Sequence, residues 1–228
     1  MDKRKSYYLV LDTETTPFNK SITEVDPENM LVYDIGFAVV DKLGNVYETF
    51  SYVVAETWIN EHSLMQSRYY ADKLPQYGAD LKNGSRQLAS IMTIKNVVAE
   101  TCKKWNIKAI VAHNMRFDLN ALNRSIRYIT KSKVRYFFPY GVEIWDSLKM
   151  ARSTIGKQKS YKEWCKRYGK MTKNNQPQFK AETLYIYLTH NENFIERHTA
   201  LADVLIESKI FSYCHTRHTK GINRKLYA

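Results

Sequence analysis

The sequence has few cysteines: Cys102, Cys165 and Cys214 are the three in 228 residues. Their odd number and wide spacing exclude a disulfide framework and favour reduced thiols. No apolar stretch is long enough to span a membrane, and the charged residues 2–5 lead into a strand, not into the apolar core of a signal peptide. We therefore expect no membrane partner, no signal peptide and a cytoplasmic location, in a bacterial cell or a host cell, with the nucleus as the alternative.

Internal repeats are absent as well, and no linker is rich enough to divide the chain. A length of 228 residues with 44% hydrophobic residues suffices for one folded domain with a sizeable core. Two small domains are the less favoured alternative. We predict a single domain over residues 1–228, with a basic tail at about 214–228.

Acidic residues are outnumbered by basic ones, and the formal net charge of +12 is concentrated in two places. Nine basic residues and one acid lie between Lys149 and Lys173, and the tail contributes four more basic residues. A localised basic surface attracts polyanions, most often nucleic acid. The alternative is an ordinary solvated face. Lys157, Lys159 and Lys162 in this segment are candidate contacts to a phosphate backbone.

Hydrophobic patterning predicts an α/β fold. Five strands are expected at about Ser6–Asp12, Leu31–Val40, Val46–Val54, Lys108–Ala112 and Val142–Trp145. Helices are expected at Glu56–Tyr77 (one or two, ending near Pro75), Ser85–Trp105, Phe117–Thr130, Asp146–Arg152, Tyr161–Tyr168, Ala181–Leu188 and Thr199–Tyr213. Hairpin residues after the second strand predict an antiparallel meander, and the later strand–helix alternation predicts parallel strands. The result is a mixed five-stranded sheet flanked by helices.

Asp12 and Glu14 follow the first apolar run. Side chains two apart on a strand share a face, so these carboxylates are expected side by side. Two close anions repel unless a cation neutralises them, and hard oxygen ligands suit Mg²⁺ or Mn²⁺. Taken alone, the pair also fits an acidic strand exit, which is common.

Two further motifs lie downstream. Asp118, in His113-Asn114-Met115-Arg116-Phe117-Asp118, follows the fourth strand at the start of a helix and is expected within reach of Asp12. His198 and Asp203 begin the last helix, with Ala200 on the same face as Asp203. A helix-capping Asp and a structural His are the alternatives. Histidine changes charge near neutral pH, which makes His198 a candidate general base beside carboxylates.

Together, Asp12-Thr13-Glu14-Thr15, Asn114-x-x-x-Asp118 and His198-x-Ala-x-x-Asp203 resemble the three motifs of the DEDDh, or DnaQ-like, 3′→5′ exonucleases. The motifs occur in the order of that family and span residues 12–203. The resemblance implies a ribonuclease H-like fold. The segments Thr16–Asn29 and Glu56–Ser85 depart from the family pattern, and the third motif has the histidine of the DEDDh branch.

The resemblance also implies roles for these residues. Asp12, Glu14, Asp118 and Asp203 would bind two Mg²⁺ or Mn²⁺ ions, with Asp12 bridging both, and His198 would accept a proton from the attacking water. Thr13, Asn114 and Phe117 would contact the terminal nucleotide, although Phe117 also fits a core anchor.

The implied function is metal-dependent hydrolysis of terminal phosphodiesters at single-stranded 3′ ends, with DNA favoured over RNA and nucleoside 5′-monophosphates as products. A DNA polymerase or a replication or repair complex is the implied protein partner. The alternative is a catalytically inactive nucleic-acid-binding module on the same fold.

Overall fold

A computed structural model describes residues 2, 4–17, 29–66 and 71–217. In this part of the chain, six strands form one sheet in the order β4-β3-β2-β1-β5-β6. The strands are β1 (Tyr7–Pro17), β2 (Met30–Asp41), β3 (Val46–Val54), β4 (Gln87–Ala89), β5 (Ala109–Ala112) and β6 (Glu143–Asp146).

Helices cover both faces of this sheet. They are α1 (His62–Met65), α2 (Leu74–Asn83), α3 (Ile91–Trp105), α4 (Met115–Ile129), α5 (Ser147–Ser153), α6 (Lys159–Arg167), α7 (Ala181–Thr189) and α8 (Ala200–Thr216). Two short helical segments, Glu56–Asn60 and Ile155–Lys157, adopt π and 3-10 geometry. Among the described residues, no helix combines the length and the apolar character needed to cross a bilayer.

The sheet has the predicted mixed topology. Strands β1, β2 and β3 form an antiparallel meander, whereas β5 pairs in parallel with β1, and β6 in parallel with β5. The prediction of an antiparallel meander followed by parallel strands, flanked by helices, is confirmed. The number of strands is corrected from five to six, because β4 adds a short parallel edge beside β3.

The missed strand explains one boundary error. The helix predicted from Ser85 begins at Ile91, and Ser90 caps it by accepting a hydrogen bond from the Thr93 amide at 3.0 Å. Residues Gln87–Ala89 before this cap form β4. Pro75, expected near the end of a helix, instead lies in the first turn of α2, where its missing amide hydrogen costs nothing.

Alternation along β1 divides the core into two layers. Tyr7, Leu9 and Leu11 pack against α3 and α4 on one face of the sheet. Tyr8 and Val10 pack on the opposite face against α5, α6, α7 and α8. Continuing the same alternation places Asp12 and Glu14 on the α8 face and Thr13 on the α4 face.

Two segments named in the sequence analysis lie largely outside the described residues. They are Thr16–Asn29, which departs from the family pattern, and the basic tail at 214–228 beyond Arg217. Within the described part, β1 continues to Pro17 and α8 to Thr216. The three cysteines are buried free thiols, as the sequence predicted.

Candidate active site

Strand β1 supplies the first two carboxylates. Asp12 pairs with Gly36 of β2, and Glu14 pairs with Asp34. The register shifts directly after Glu14, which is a β-bulge of the kind often found beside active sites. The pairing of β1 with β5 is recorded at Leu9 and Val10. Asp12 and Glu14 therefore lie beyond the carboxyl end of β5, where open α/β sheets bind ligands.

Helix α8 brings Asp203 to these carboxylates. Its first turn lies against β2. The three carboxylates each contribute one oxygen to a group whose atoms all lie within 4.8 Å of one another: Asp12, Glu14 and Asp203. The Oδ1 atom of Asp203 is buried and has no hydrogen-bond partner among the described residues. A buried carboxylate oxygen without a donor is costly, so this atom is directed at a site suited to a cation.

Asp118 reaches the same region from the first turn of α4. It is almost fully buried, and its Oδ1 atom accepts a hydrogen bond of 2.7 Å from the Thr13 hydroxyl. Since Thr13 lies between Asp12 and Glu14, this bond fixes Asp118 directly to the strand of the first motif. The four predicted carboxylates are thus brought together from three separate elements.

His198 lies at the rim of this cluster. Its side chain is 65% exposed, and its Nδ1 atom stands 3.6 Å from Oε2 of Glu196. Ligand atoms of Glu196, His198 and Asp203 also lie within 4.8 Å of one another. Glu196 can thus orient the imidazole from the Nδ1 side, which leaves the other ring nitrogen for a proton transfer.

The electrostatics of the cluster are those of crowded, desolvated anions. Burial raises the pKa of Asp203 to about 8, and the nearby carboxylates of Glu196 and Glu14 contribute to the rise. Burial also raises the pKa of Glu14 to about 7, although the Lys73 ammonium opposes the rise. The pKa of Asp12 is raised well above its ordinary range, first by burial and then by neighbouring carboxylates.

Asp118 follows the same trend. Burial raises its pKa to about 7 even though the hydrogen bond from Thr13 lowers it. The raised pKa values show that these buried carboxylates are difficult to ionise together without a cation. Clustered carboxylate oxygens are the ligands that Mg²⁺ and Mn²⁺ prefer. The residues present therefore fit a divalent-ion site.

Glu207 is a buried acid that the sequence analysis did not single out. It lies one helical turn after Asp203, and its Oε2 atom accepts a hydrogen bond of 3.2 Å from the His113 amide. Burial, then the charges of Asp118 and Asp203, raises its pKa well above the ordinary value. The spacing of four from Asp203 was the available signal.

Lys73 and Glu196 were also missed. Lys73 Nζ stands 3.9 Å from Glu14 Oε2, and no pattern near Lys73 in the sequence indicates this contact. Glu196 lies two residues before His198, a spacing that carries no signal in an irregular segment. Both residues reach the site only through the tertiary fold.

The predicted substrate contacts occupy varied positions. Asn114 is exposed and has a left-handed φ of 71°. Its backbone N–H donates to Asp146 Oδ1 at 3.1 Å. Phe117 is half-buried. The Thr13 hydroxyl donates its hydrogen bond to Asp118. The three candidate lysines are exposed: Lys157, Lys159 and Lys162.

Comparison with known proteins gives a result at the level of structure only. No protein-family model matches the chain, and no curated protein matches it in sequence. Solved structures do match. The nuclease domain of 3′hExo, a DEDDh family member bound to rAMP, superimposes with a TM-score of 0.59 at 13% identity, over 93% of each chain.

The chain therefore shares its fold with this DEDDh nuclease domain. Schizosaccharomyces pombe Pop2p in its Mg²⁺- and Mn²⁺-bound form matches with a TM-score of 0.59 at 14% identity, over 99% of this chain and 89% of that one. Escherichia coli exonuclease I with a dT13 oligonucleotide matches with a TM-score of 0.51 at 18% identity. This match covers 93% of the chain but only 42% of exonuclease I. These likenesses confirm the predicted ribonuclease H-like fold.

Proposed function

We propose that this chain is a metal-dependent 3′→5′ exonuclease of the DEDDh type. It hydrolyses the terminal phosphodiester of single-stranded nucleic acid, with DNA favoured over RNA, and releases nucleoside 5′-monophosphates. The observation that carries the proposal is the meeting of Asp12, Glu14 and Asp203 within 4.8 Å, beyond the end of β5 in an exonuclease fold.

The donor set supports two cation sites. Asp12, Glu14 and Asp203 would hold one divalent ion, and Asp12 with Asp118 would hold a second. Divalent ions in such a site lower the pKa of water and stabilise negative charge on a phosphate under in-line attack. The unpartnered Oδ1 of Asp203 supports this assignment, because a bound cation would satisfy that buried oxygen.

The side chains of the chain perform the remaining steps. His198 accepts the proton of the water that attacks the terminal phosphorus, and Glu196, 3.6 Å from Nδ1, orients the imidazole. Thr13 keeps Asp118 in place through its hydroxyl. Asn114 and Phe117 contact the terminal nucleotide, and the exposed lysines at 157, 159 and 162 bind the phosphate backbone without reading sequence.

The nucleic acid itself is the main partner. Exonuclease I is seen with a DNA oligonucleotide, and a further structural neighbour, a 3′-exonuclease, is described in 3′-end-specific recognition of a histone mRNA stem-loop. The neighbours thus include binders of both polymers. Association with a DNA polymerase or a replication or repair complex in the cytoplasm is part of the proposal, and co-purification with the tagged full chain tests it.

A labelled-strand assay tests the activity. Matched DNA and RNA strands labelled at the 5′ end are incubated with Mg²⁺, Mn²⁺ or EDTA, and the released nucleotides are identified by chromatography. We expect stepwise shortening from the 3′ end, faster on DNA, that EDTA abolishes. Asp12→Asn should reduce the rate at least about a hundredfold because it removes a charge at the cation site.

Glu100→Gln is the matched control, because Glu100 is an exposed acid on α3, outside the basic segment. It should retain wild-type activity. Undiminished turnover in the Asp12→Asn variant would contradict the assignment of the site. Tight strand binding by a wild-type protein that never shortens the strand would support the inactive binding module instead.

A further inference from the structure

The segment that carries α2 makes two contacts near the start of α8, one with His198 and one with Asp34 of β2. Lys73, directly before α2, donates from Nζ to the backbone carbonyl of His198 at 3.3 Å. Tyr77 on α2 donates from its hydroxyl to Oδ2 of Asp34 at 2.6 Å. This segment belongs to residues 56–85, whose sequence departs from the family pattern.

Asp34 is the junction of the second contact. It is fully buried on β2, and the Arg86 guanidinium donates to its Oδ1 atom. Its Oδ2 atom accepts from the Ala200 amide at 3.1 Å, besides the bond from Tyr77. Ala200 is the first residue of α8, and Thr199 before it makes no side-chain capping bond. Asp34 therefore satisfies an unpaired amide at the start of the helix, as a capping side chain would.

His198, which accepts the hydrogen bond from Lys73, has an unfavourable backbone conformation. Its φ of 52° lies in the left-handed region, which is unfavourable for a residue with a β-carbon. Such a conformation persists only where the surroundings determine it. Lys73 holds the carbonyl of His198 itself, and Asp34 holds the amide two residues later.

We propose that Lys73 and Asp34 are positioning residues that hold His198 in its left-handed conformation, with the imidazole over the carboxylate cluster. Lys73 acts from the backbone side and Asp34 from the helix start. Tyr77 and Arg86 support Asp34, and the Arg86 guanidinium also lies 4.3 Å from the Tyr77 ring centroid. The inference rests on the proposed function in one respect, the assignment of His198 as the base.

Lys73→Met tests the catalytic consequence. Methionine keeps the length of the side chain and removes the ammonium group. We expect kcat to fall by roughly tenfold to a hundredfold with KM changed less than about twofold, as for a misplaced base. Lys82→Met on the exposed side of α2 is the matched control and should leave both constants unchanged.

A double-variant experiment separates positioning from direct substrate contact. If Lys73 acts through His198, Lys73→Met should cost nothing further in the His198→Ala background. A full additional loss in that background, or a rise in KM with kcat unchanged, would overturn the proposal. Lys73 would then act through Glu14 at the cation site or on the substrate phosphate directly.

Hydrogen exchange provides a measure that needs no catalysis. The Ala200 amide should exchange faster in Lys73→Met and in Tyr77→Phe than in the wild type, while the Lys82→Met variant and the amides of α3 stay unchanged. Unaltered exchange at Ala200 would overturn the positioning role even in an active nuclease. Faster exchange in a protein without nuclease activity would retain the positioning role and reject the proposed function.

Discussion

Gly36 on β2 lies directly against the backbone of Leu201 in the first turn of α8. A β-carbon at Gly36 would stand 2.3 Å from the Leu201 amide nitrogen and 2.4 Å from the Ala200 carbonyl carbon. Gly36 also pairs with Asp12 across β1 and β2. The absence of a side chain at this one position therefore lets α8 approach the strand that carries Asp12, and brings Asp203 to it.

Gly36→Ala should separate the helix from the sheet. Because both clashing atoms belong to the backbone, the helix must shift, and overpacking of this kind costs about 1–3 kcal/mol. We expect a lower free energy of unfolding in urea together with weaker Mn²⁺ binding in a calorimetric titration.

Gly78→Ala is the control, since nothing lies within 4 Å of a β-carbon at that helical position. It should be stabilising by about 0.5–1 kcal/mol. A Gly36→Ala variant with wild-type stability and Mn²⁺ affinity would contradict the close approach.

The raised pKa values predict that the metal-free protein loses stability as the pH rises. The folded-state pKa is about 7 for Glu14 and Asp118 and about 8 for Asp203. Between about pH 4 and 8 the unfolded chain releases protons that the folded chain retains, so the free energy of unfolding falls by up to about 1.4 kcal/mol per pH unit for each retained proton.

Urea unfolding in EDTA between about pH 6.5 and 8.5 measures this slope. The lowered pKa of His113 acts in the opposite sense, and its contribution fades above about pH 7.5, one unit above the ordinary histidine pKa. Asp203→Asn should flatten it, because the amide does not titrate. Saturating Mn²⁺ should also remove it, since a bound cation favours the ionised carboxylates. Stability that is constant or rises with pH in EDTA would show that these acids are not desolvated in the folded chain.

Much of the sheet could be predicted from local sequence. Strand β3 has the predicted bounds, Val46–Val54, because turn residues and β-branched side chains mark both of its ends. Strand β4 could not be predicted, since three residues at a sheet edge have too few neighbours to leave a hydrophobic pattern. Ser85 and Ser90 are equally good caps in isolation, and only the pairing of Gln87–Ala89 with β3 selects Ser90.

The candidate site divides in the same way. Asp12, Glu14, Asp118 and Asp203 were predicted because each lies in a spaced motif whose order can be recognised. Lys73, Glu196 and Glu207 have no such motif. Each reaches the site through tertiary packing: Lys73 through the placement of α2, Glu196 through the segment before α8, and Glu207 through the burial of α8 on β1 and β5.

Glu207 should destabilise the metal-free fold. A buried acid whose pKa is raised must take up a proton on folding at neutral or higher pH, which costs free energy. Glu207→Gln keeps an oxygen to accept the His113 amide and removes that cost. We expect the free energy of unfolding in EDTA at about pH 8 to rise by roughly 1 kcal/mol or more.

The control for this substitution is Glu163→Gln at an exposed position, which should change stability by less than about 0.5 kcal/mol. Glu207→Leu should be less stable than Glu207→Gln, because it leaves the His113 amide without its acceptor. Should Glu207→Gln destabilise the protein at this pH, the carboxylate would have to be ionised and paired in the folded state.

The basic segment should set the salt dependence of strand binding. Lys157, Lys159 and Lys162 are exposed, and each lysine that neutralises a phosphate on a single strand contributes about 0.7 to the slope of log affinity against log salt. Replacing all three with glutamine should reduce the magnitude of that slope by up to about 2 and weaken binding. kcat at saturating substrate should not change, because the carboxylates are untouched.

Fluorescence anisotropy with an oligonucleotide in Ca²⁺ or EDTA, at several salt concentrations, measures the slope without turnover. The control replaces Lys103, Lys108 and Lys133, three exposed lysines outside the 149–173 segment. Equal slopes for the two triple variants would show that the strand does not run over the basic segment.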